Sequence, residues 1–124
     1  MVTEFTKGRL KVKMSNTRAE LGEVAAKEVA AYIKELLSRK DEVNIIFASA
    51  PSQNEFLAAL LTHEIEWNRI NAFHMDEYIG IDPDASQAFG KFLKDRIFSK
   101  VTPKSIHYMN PQAQDPEEEC RRYA

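Results

Sequence analysis

The sequence lacks the features that mark secreted, membrane and nucleic-acid-binding proteins. Cys120 is the only cysteine among the 124 residues, so no internal disulfide can form. The 17 basic and 19 acidic residues give a formal net charge of −2, and so no global basic field for nucleic acid or an anionic membrane. Apolar runs are too short to cross a bilayer, and residues 1–13 lack the apolar core of a signal peptide. These absences favour a cytoplasmic protein.

The rest of the composition is that of one small globular domain. Apolar residues make up 44% and charged residues 29% of the chain, which has no repeat or linker. Asp115 and Glu118 predict a helix start, yet the chain ends at Ala124 after barely two turns. A frayed terminal helix is one interpretation. The one we favour is that residues 1–124 are the N-terminal part of a single longer domain.

Apolar patterns along the chain alternate between strand and helix. Alternation at residues 10–14 predicts a half-exposed edge strand, and Thr17 with Glu20 predicts the capped start of a long amphipathic helix ending near Lys40. The apolar run at residues 43–48 predicts a central strand buried on both faces. The patterns that follow predict helices around 56–61 and 89–98, and strands at 70–74 and 106–109. This order predicts an α/β, Rossmann-like fold: a mostly parallel sheet with helices on both faces.

Such a fold predicts where a site lies, because ligands of open α/β sheets bind beyond the carboxyl ends of the strands. The loops at residues 49–53 and 76–86 take that position. The second loop opens with two acids, Asp76 and Glu77, directly after an apolar strand. A carboxylate there is half shielded from water, rigidly placed and ionised at pH 7, which suits a general base. The alternative is that Asp76 or Glu77 caps a turn or pairs with a basic side chain.

A family resemblance rests on residues 73–80, Phe-His-Met-Asp-Glu-Tyr-Ile-Gly. They resemble the motif of glucosamine-6-phosphate deaminases, a branch of a superfamily shared with 6-phosphogluconolactonases. Lactonases usually carry an Arg two residues after the Asp, where this chain has Tyr78. The similarity extends to further segments and covers nearly the whole chain: residues 17–21, 47–60, 92–98 and 120–123.

The resemblance implies that Asp76 moves a proton between C2 and C1 of the opened sugar through an enol intermediate. An amino-sugar 6-phosphate is thereby isomerised to the ketose and loses ammonia, without a metal or an organic cofactor. Relatives are close to twice as long, and their second half supplies an Asp, a His and a Glu for ring opening. His63, His74 and His107 do not match that motif, so we expect them to be structural and the chain alone to be inactive.

The resemblance also implies how the substrate's phosphate is held. Ser49, Ala50 and Ser52 are its expected contacts, and Glu77 is a further expected substrate contact. The family usually has a Thr/Gly-rich turn here, whose N–H groups and hydroxyls bind phosphate at a helix N-terminus. Pro51 departs from that pattern because it has no N–H. Alternatively, Ser52 only caps the helix that follows.

Two other functions remain open at this point. One is a lactone hydrolase of the same superfamily, and the other is a non-catalytic sugar-phosphate-binding domain. Because part of a domain exposes apolar surfaces and sheet edges, we expect the chain to form a homo-oligomer. The expected ligand is a sugar phosphate, and neither nucleic acid nor a membrane is expected as a partner.

Overall fold

The computed structural model describes residues 2–124. Its elements are β1 Val2–Lys7, β2 Leu10–Ser15, α1 Arg18–Leu37, β3 Val43–Phe47, α2 Asn54–Leu60, β4 Ile70–His74, α3 Phe89–Leu93, β5 Ser105–His107 and α4 Pro116–Tyr123. Short 3₁₀ turns at Pro51–Gln53 and Trp67–Arg69 precede α2 and β4, and a π-helical turn at Lys94–Phe98 continues α3. Among the described residues, no helix is both long and apolar enough to cross a membrane.

The first helix begins where the sequence predicts. Thr17 is extended, and its side-chain oxygen accepts a hydrogen bond from the Glu20 N–H at 3.1 Å. This satisfies one of the N–H groups that a helix leaves unpaired in its first turn. The Glu20 carboxylate accepts in turn from the Asn16 N–H at 2.9 Å. Further along, α1 crosses α2 so closely that a Cβ on Gly22 would lie 2.6 Å from the backbone carbonyl carbon of Glu55.

The main sheet is parallel and has the strand order β3-β4-β5, which makes β4 its central strand. The strand predicted at residues 70–74 is confirmed. The prediction that residues 43–48 form a central strand buried on both faces is wrong, because β3 lies at the edge and Ile46 is 68% exposed. An apolar run indicates that a segment tends to be buried, but the order of strands in a sheet depends on contacts between residues that are far apart in the chain.

The helices explain why only one face of β3 is buried. Val43, Ile45 and Phe47 alternate with the exposed Asn44 and Ile46. Around Phe47, the core is formed by one sheet face, α1, α2, α3 and the π turn through Ala26, Leu57, Leu60, Ala72, Leu93, Ile97 and Phe98.

The opposite sheet face is met by α4. Phe73 of β4 stacks on His107 with ring centroids 4.6 Å apart, and Tyr123 of α4 packs edge-on against Phe73. Asp115 caps α4 as predicted, since its carboxylate accepts from the N–H groups of Glu117 and Glu118. The α/β fold class with a parallel sheet and helices is confirmed.

The strand predicted at residues 10–14 exists but belongs to a separate hairpin. β2 pairs antiparallel with β1, and Gly8, with φ of 60°, occupies the first position of their two-residue loop. A positive φ at that position is typical of a type II′ hairpin turn. Lys13 forms an ion pair with Glu28, which ties the hairpin to α1.

Candidate active site

The two loops singled out in the sequence leave the sheet side by side. Phe47 of β3 pairs with His74 of β4 at the end of the parallel ladder. Neighbouring strands lie about 4.8 Å apart, and Ser49 and Asp76 each follow that pair by two residues. The fold therefore brings both segments to the carboxyl edge of the sheet, where ligands of α/β folds bind.

Asp76 lies in a groove of about 260 Å³ between the segment after β4 and the segment that joins β5 to α4. It is exposed, so the expectation that it would be half shielded from water is wrong, and within residues 2–124 it accepts a hydrogen bond only through its backbone carbonyl oxygen, from His74. No basic residue in that range lines the groove, whose wall is largely apolar and includes Met75, Ile79, Met109 and Pro111. A free carboxylate against such a wall can accept a proton from a bound molecule.

His74 connects the two sides of this groove from beneath. The residue is 1% exposed. Its Nε2 accepts a hydrogen bond from the Met109 N–H at 2.9 Å, and its Nδ1 lies 2.9 Å from the Asp76 carbonyl oxygen. These partners require a neutral imidazole with its proton on Nδ1. Burial lowers the pKa of His74 below its ordinary value. The hydrogen bond to the Asp76 carbonyl and the nearby carboxylates act to raise the pKa, but their effect is smaller than that of burial.

Glu77 uses both carboxylate oxygens within the fold. One accepts from the Phe89 N–H at 2.9 Å and from the Tyr78 N–H at 3.1 Å, and the other accepts from the Gly90 N–H at 2.9 Å. Phe89 and Gly90 begin α3, whose N-cap residue Ala88 supplies no side-chain bond. A carboxylate at a helix start pairs unsatisfied N–H groups and favours the positive end of the helix dipole. Glu77, expected to contact the substrate, is thus committed to the start of α3.

The loop after β3 places its three expected phosphate contacts differently. The Ser49 hydroxyl is buried and has no hydrogen-bond partner among the described residues. The Ala50 carbonyl accepts from the Gln53 N–H at 2.9 Å, which forms the 3₁₀ turn before α2. Ser52 is exposed and lines a separate groove between α1 and α2. It does not cap α2, whose N-cap residue is Gln53 and has no side-chain bond.

Arg18 holds this loop from the α1 side, a role that sequence reasoning missed. Its guanidinium donates to the Pro51 carbonyl oxygen at 2.9 Å and to the two carboxylate oxygens of Glu55 at 2.9 and 2.8 Å. The partners lie more than thirty residues further along the chain, so no local pattern reveals the clamp.

The sequence is similar to proteins of one family. Residues 16–124 match the family model described as glucosamine-6-phosphate isomerases/6-phosphogluconolactonase. A glucosamine-6-phosphate deaminase of an Exiguobacterium species is 30% identical over 91 residues, which cover 73% of this chain and 36% of that protein. Glucosamine-6-phosphate deaminase 1 of Giardia intestinalis is 36% identical over 61 residues, covering 48% of this chain and 23% of that protein.

Solved structures agree with the sequence comparison. A monomeric glucosamine-6-phosphate deaminase gives a TM-score of 0.73 at 28% identity, over 88% of this chain and 46% of that one. A 6-phosphogluconolactonase from Thermotoga maritima gives 0.74 at 21% identity, over 82% of this chain and 47% of that one, a likeness of fold alone. The chain spans less than half the length of these relatives. Because the family model matches most of its length, the chain belongs to the glucosamine-6-phosphate isomerase/6-phosphogluconolactonase family.

Proposed function

We propose that the chain carries the base of an enzyme that isomerises and deaminates an amino-sugar 6-phosphate, and that Asp76 is this base. The proposal is carried by the placement of Asp76, whose carboxylate is unpaired within residues 2–124 and opens into a groove at the carboxyl edge of the sheet. The neighbouring acid Glu77 is already bound to three backbone N–H groups, which leaves Asp76 free to act as a base.

In this reaction Asp76 removes the C2 proton of the open-chain 2-amino aldose, and the C1 aldehyde oxygen takes up a proton from water to become an enol hydroxyl. Asp76 returns its proton to C1 while the amine nitrogen gives up a proton to water, which leaves the C2 imine, and a water molecule then adds to C2. Ammonia then leaves, and the ketose 6-phosphate remains. A positioned general base contributes about 10²–10⁴-fold to such a step, and it needs neither a metal nor an organic cofactor.

The phosphate end of the substrate is assigned to the loop after β3. The hydroxyl of Ser49 is the candidate donor, because it is unpaired within residues 2–124 at a cost of about 1–3 kcal/mol, and a phosphate oxygen could pair it once the loop opens to expose it. Ala50 and Ser52 are the further proposed contacts, and Ser52 takes part only if its hydroxyl turns away from the groove between α1 and α2. Pro51 leaves the loop with one N–H fewer, so the phosphate relies more on hydroxyl groups than in a glycine-rich turn.

The first experiment concerns the chain itself. Glucosamine 6-phosphate should shift the backbone amide resonances of Ser49 and Asp76 in an NMR titration. The same preparation should release no measurable ammonia, because the expected ring-opening groups are not in the chain. Robust ammonia release by the purified chain would contradict this part of the proposal.

The second experiment isolates the base. In an enzyme that joins this chain to the second half of a family relative, Asp76→Asn should lower kcat and kcat/KM together by about 10²–10⁴-fold, because an interaction made in the transition state is removed. Asp84→Asn is the matched control, an exposed acid in the same loop. Near-normal turnover by Asp76→Asn would refute the assignment.

Lactone hydrolysis is the competing activity within the family. The same joined enzyme should therefore be assayed on 6-phosphogluconolactone, where Tyr78 leads us to expect little hydrolysis. Hydrolysis without deamination would replace the proposed reaction, and binding without either reaction would indicate a non-catalytic sugar-phosphate-binding domain.

We also propose a homo-oligomer that acts in the cytoplasm, where sugar phosphates are metabolised. The free edge of β3 and the exposed Ile46, Leu10 and Met14 support self-association.

A further inference from the structure

We infer that His74 and Glu77 are positioning residues for Asp76, because they fix the backbone on either side of it while its carboxylate stays free. The inference rests on the proposed role of Asp76 as the base. Residues 75–78 belong to neither helix nor strand, so their rigidity has to come from side-chain bonds. A base must be held within about 0.5 Å of its productive position, which makes such bonds part of the site.

His74 fixes the carbonyl side. Its Nδ1–H donates to the backbone carbonyl oxygen of Asp76, and its Nε2 accepts from the backbone N–H of Met109. One ring therefore links the two walls of the groove. The ring packs between Tyr108 and Tyr123, and the Tyr123 hydroxyl accepts from the His74 backbone N–H at 2.8 Å. The imidazole therefore cannot turn without breaking both bonds, and the Asp76 peptide keeps its distance from Met109.

Glu77 fixes the following residues. Its carboxylate binds the start of α3 through Phe89 and Gly90, and the Tyr78 ring stacks on Phe89 with centroids 4.8 Å apart. Glycine at position 90 eases this approach, because a side chain there would be tight against Tyr108 although not against Glu77. A Cβ there would lie 3.2 Å from a Tyr108 ring carbon and 3.4 Å from a Glu77 carboxylate oxygen.

Substitutions of His74 separate its two bonds. Asn places its amide near the position of Nδ1 and keeps the donor to Asp76, whereas Gln places its amide near Nε2 and keeps the acceptor for Met109. Glu77→Gln keeps the shape of the side chain but replaces one acceptor oxygen with a donor that faces a backbone N–H. His63→Gln and Glu64→Gln are the matched controls, since neither side chain has a hydrogen bond or ring contact with Asp76 or His74 within residues 2–124.

The measurement is backbone amide order by NMR relaxation, with amide hydrogen exchange, on the full chain. In His74→Gln and in Glu77→Gln, the order parameter at Asp76 should fall from about 0.85 to below about 0.6. His74→Asn should preserve order at Asp76, while the Met109 amide exchanges at least about tenfold faster, a loss of about 1.4 kcal/mol of protection. A residue that acted only on global stability would leave the order of Asp76 in the folded state unchanged.

The outcomes separate this inference from the proposed function. Unchanged order at Asp76 in both His74→Gln and Glu77→Gln would overturn the inference. If one variant does not fold, the other decides by the same criterion. Loss of order in these variants supports the inference even if glucosamine 6-phosphate shifts no resonance of the wild-type chain, a result that would reject only the proposed function.

Discussion

Replacing Gly22 by alanine sets two well-known effects against each other. Gly22 lies inside α1, where alanine favours the helix by about 1 kcal/mol over glycine. On helix propensity alone, Gly22→Ala should therefore stabilise the protein. The packing of α1 on α2 predicts the opposite sign.

The size of the packing term follows from the distances. A Cβ at position 22 would lie 2.6 Å from the carbonyl carbon, 2.8 Å from the carbonyl oxygen and 2.8 Å from the Cβ of Glu55. Carbon atoms prefer separations of about 3.5–4.0 Å, so the helices must part by roughly 1 Å. Overpacking typically costs about 1–3 kcal/mol, and a clash with backbone atoms that no rotamer relieves belongs to the upper part of that range. The net destabilisation should be about 1–2 kcal/mol, which lowers Tm by about 4–8 °C for a domain of this size.

The assay is thermal and urea unfolding followed by circular dichroism. The matched control is the difference in Tm between Lys27→Gly and Lys27→Ala. Because Lys27 is exposed on the same helix, this difference measures helix propensity without a packing contribution. If Gly22→Ala raised Tm by the amount that separates those two variants, the close approach of α1 to α2 would be refuted.

Three further predictions concern pH, helix capping and assembly. Burial lowers the pKa of His74, so below about pH 6.5 the unfolded state binds more protons than the folded state. The urea concentration at the midpoint of unfolding should therefore be lower at pH 5 than at pH 7, and the decrease should be larger in wild type than in His74→Gln. Equal decreases in the two proteins would contradict the role of His74. Asp115→Ala should cost about 1 kcal/mol of α4 stability, seen as several-fold faster exchange of the Glu117 and Glu118 amides; unchanged exchange would argue against the cap. The wild-type chain should sediment as an oligomer at micromolar concentration and Ile46→Lys should weaken it, whereas a wild-type monomer would reject the proposed assembly.

The sequence predicted those parts of the fold that local chemistry determines. The cap at Thr17, the strand at residues 70–74 and the cap at Asp115 each follow from a short pattern, and each is confirmed. β1 was not predicted because Val2–Lys7 is almost wholly exposed and its apolar residues, Val2 and Phe5, do not alternate with polar ones. The edge position of β3 was missed for a different reason, since strand order depends on residues far apart in the chain.

In the candidate site, too, local features could be predicted from the sequence and long-range contacts could not. The motif at residues 73–80 drew attention to Asp76, and the fold places Asp76 at the expected edge of the sheet; its role as the base remains a prediction. The partners of His74 and Glu77 were beyond sequence reasoning. Met109 lies 35 residues after His74, and Gly90 lies 13 residues after Glu77, so only the folded chain brings them together.

Because Glu77 holds the start of α3, the chain between them is a loop closed at its base, comparable to an Ω-loop. Gln112 anchors the near side of this loop through the carbonyl oxygens of Gly80 and Ile81, which leaves residues 82–87 as its outer part. Doubling the length of a flexible loop costs only about 0.6 kcal/mol, so we expect insertions there to be tolerated without moving Asp76. The length of residues 82–87, none of which lines the Asp76 groove, can then diverge between relatives while Asp76 keeps its place. If Asp76 is the base that we propose, the surroundings of the site can change in this way without rebuilding its chemistry.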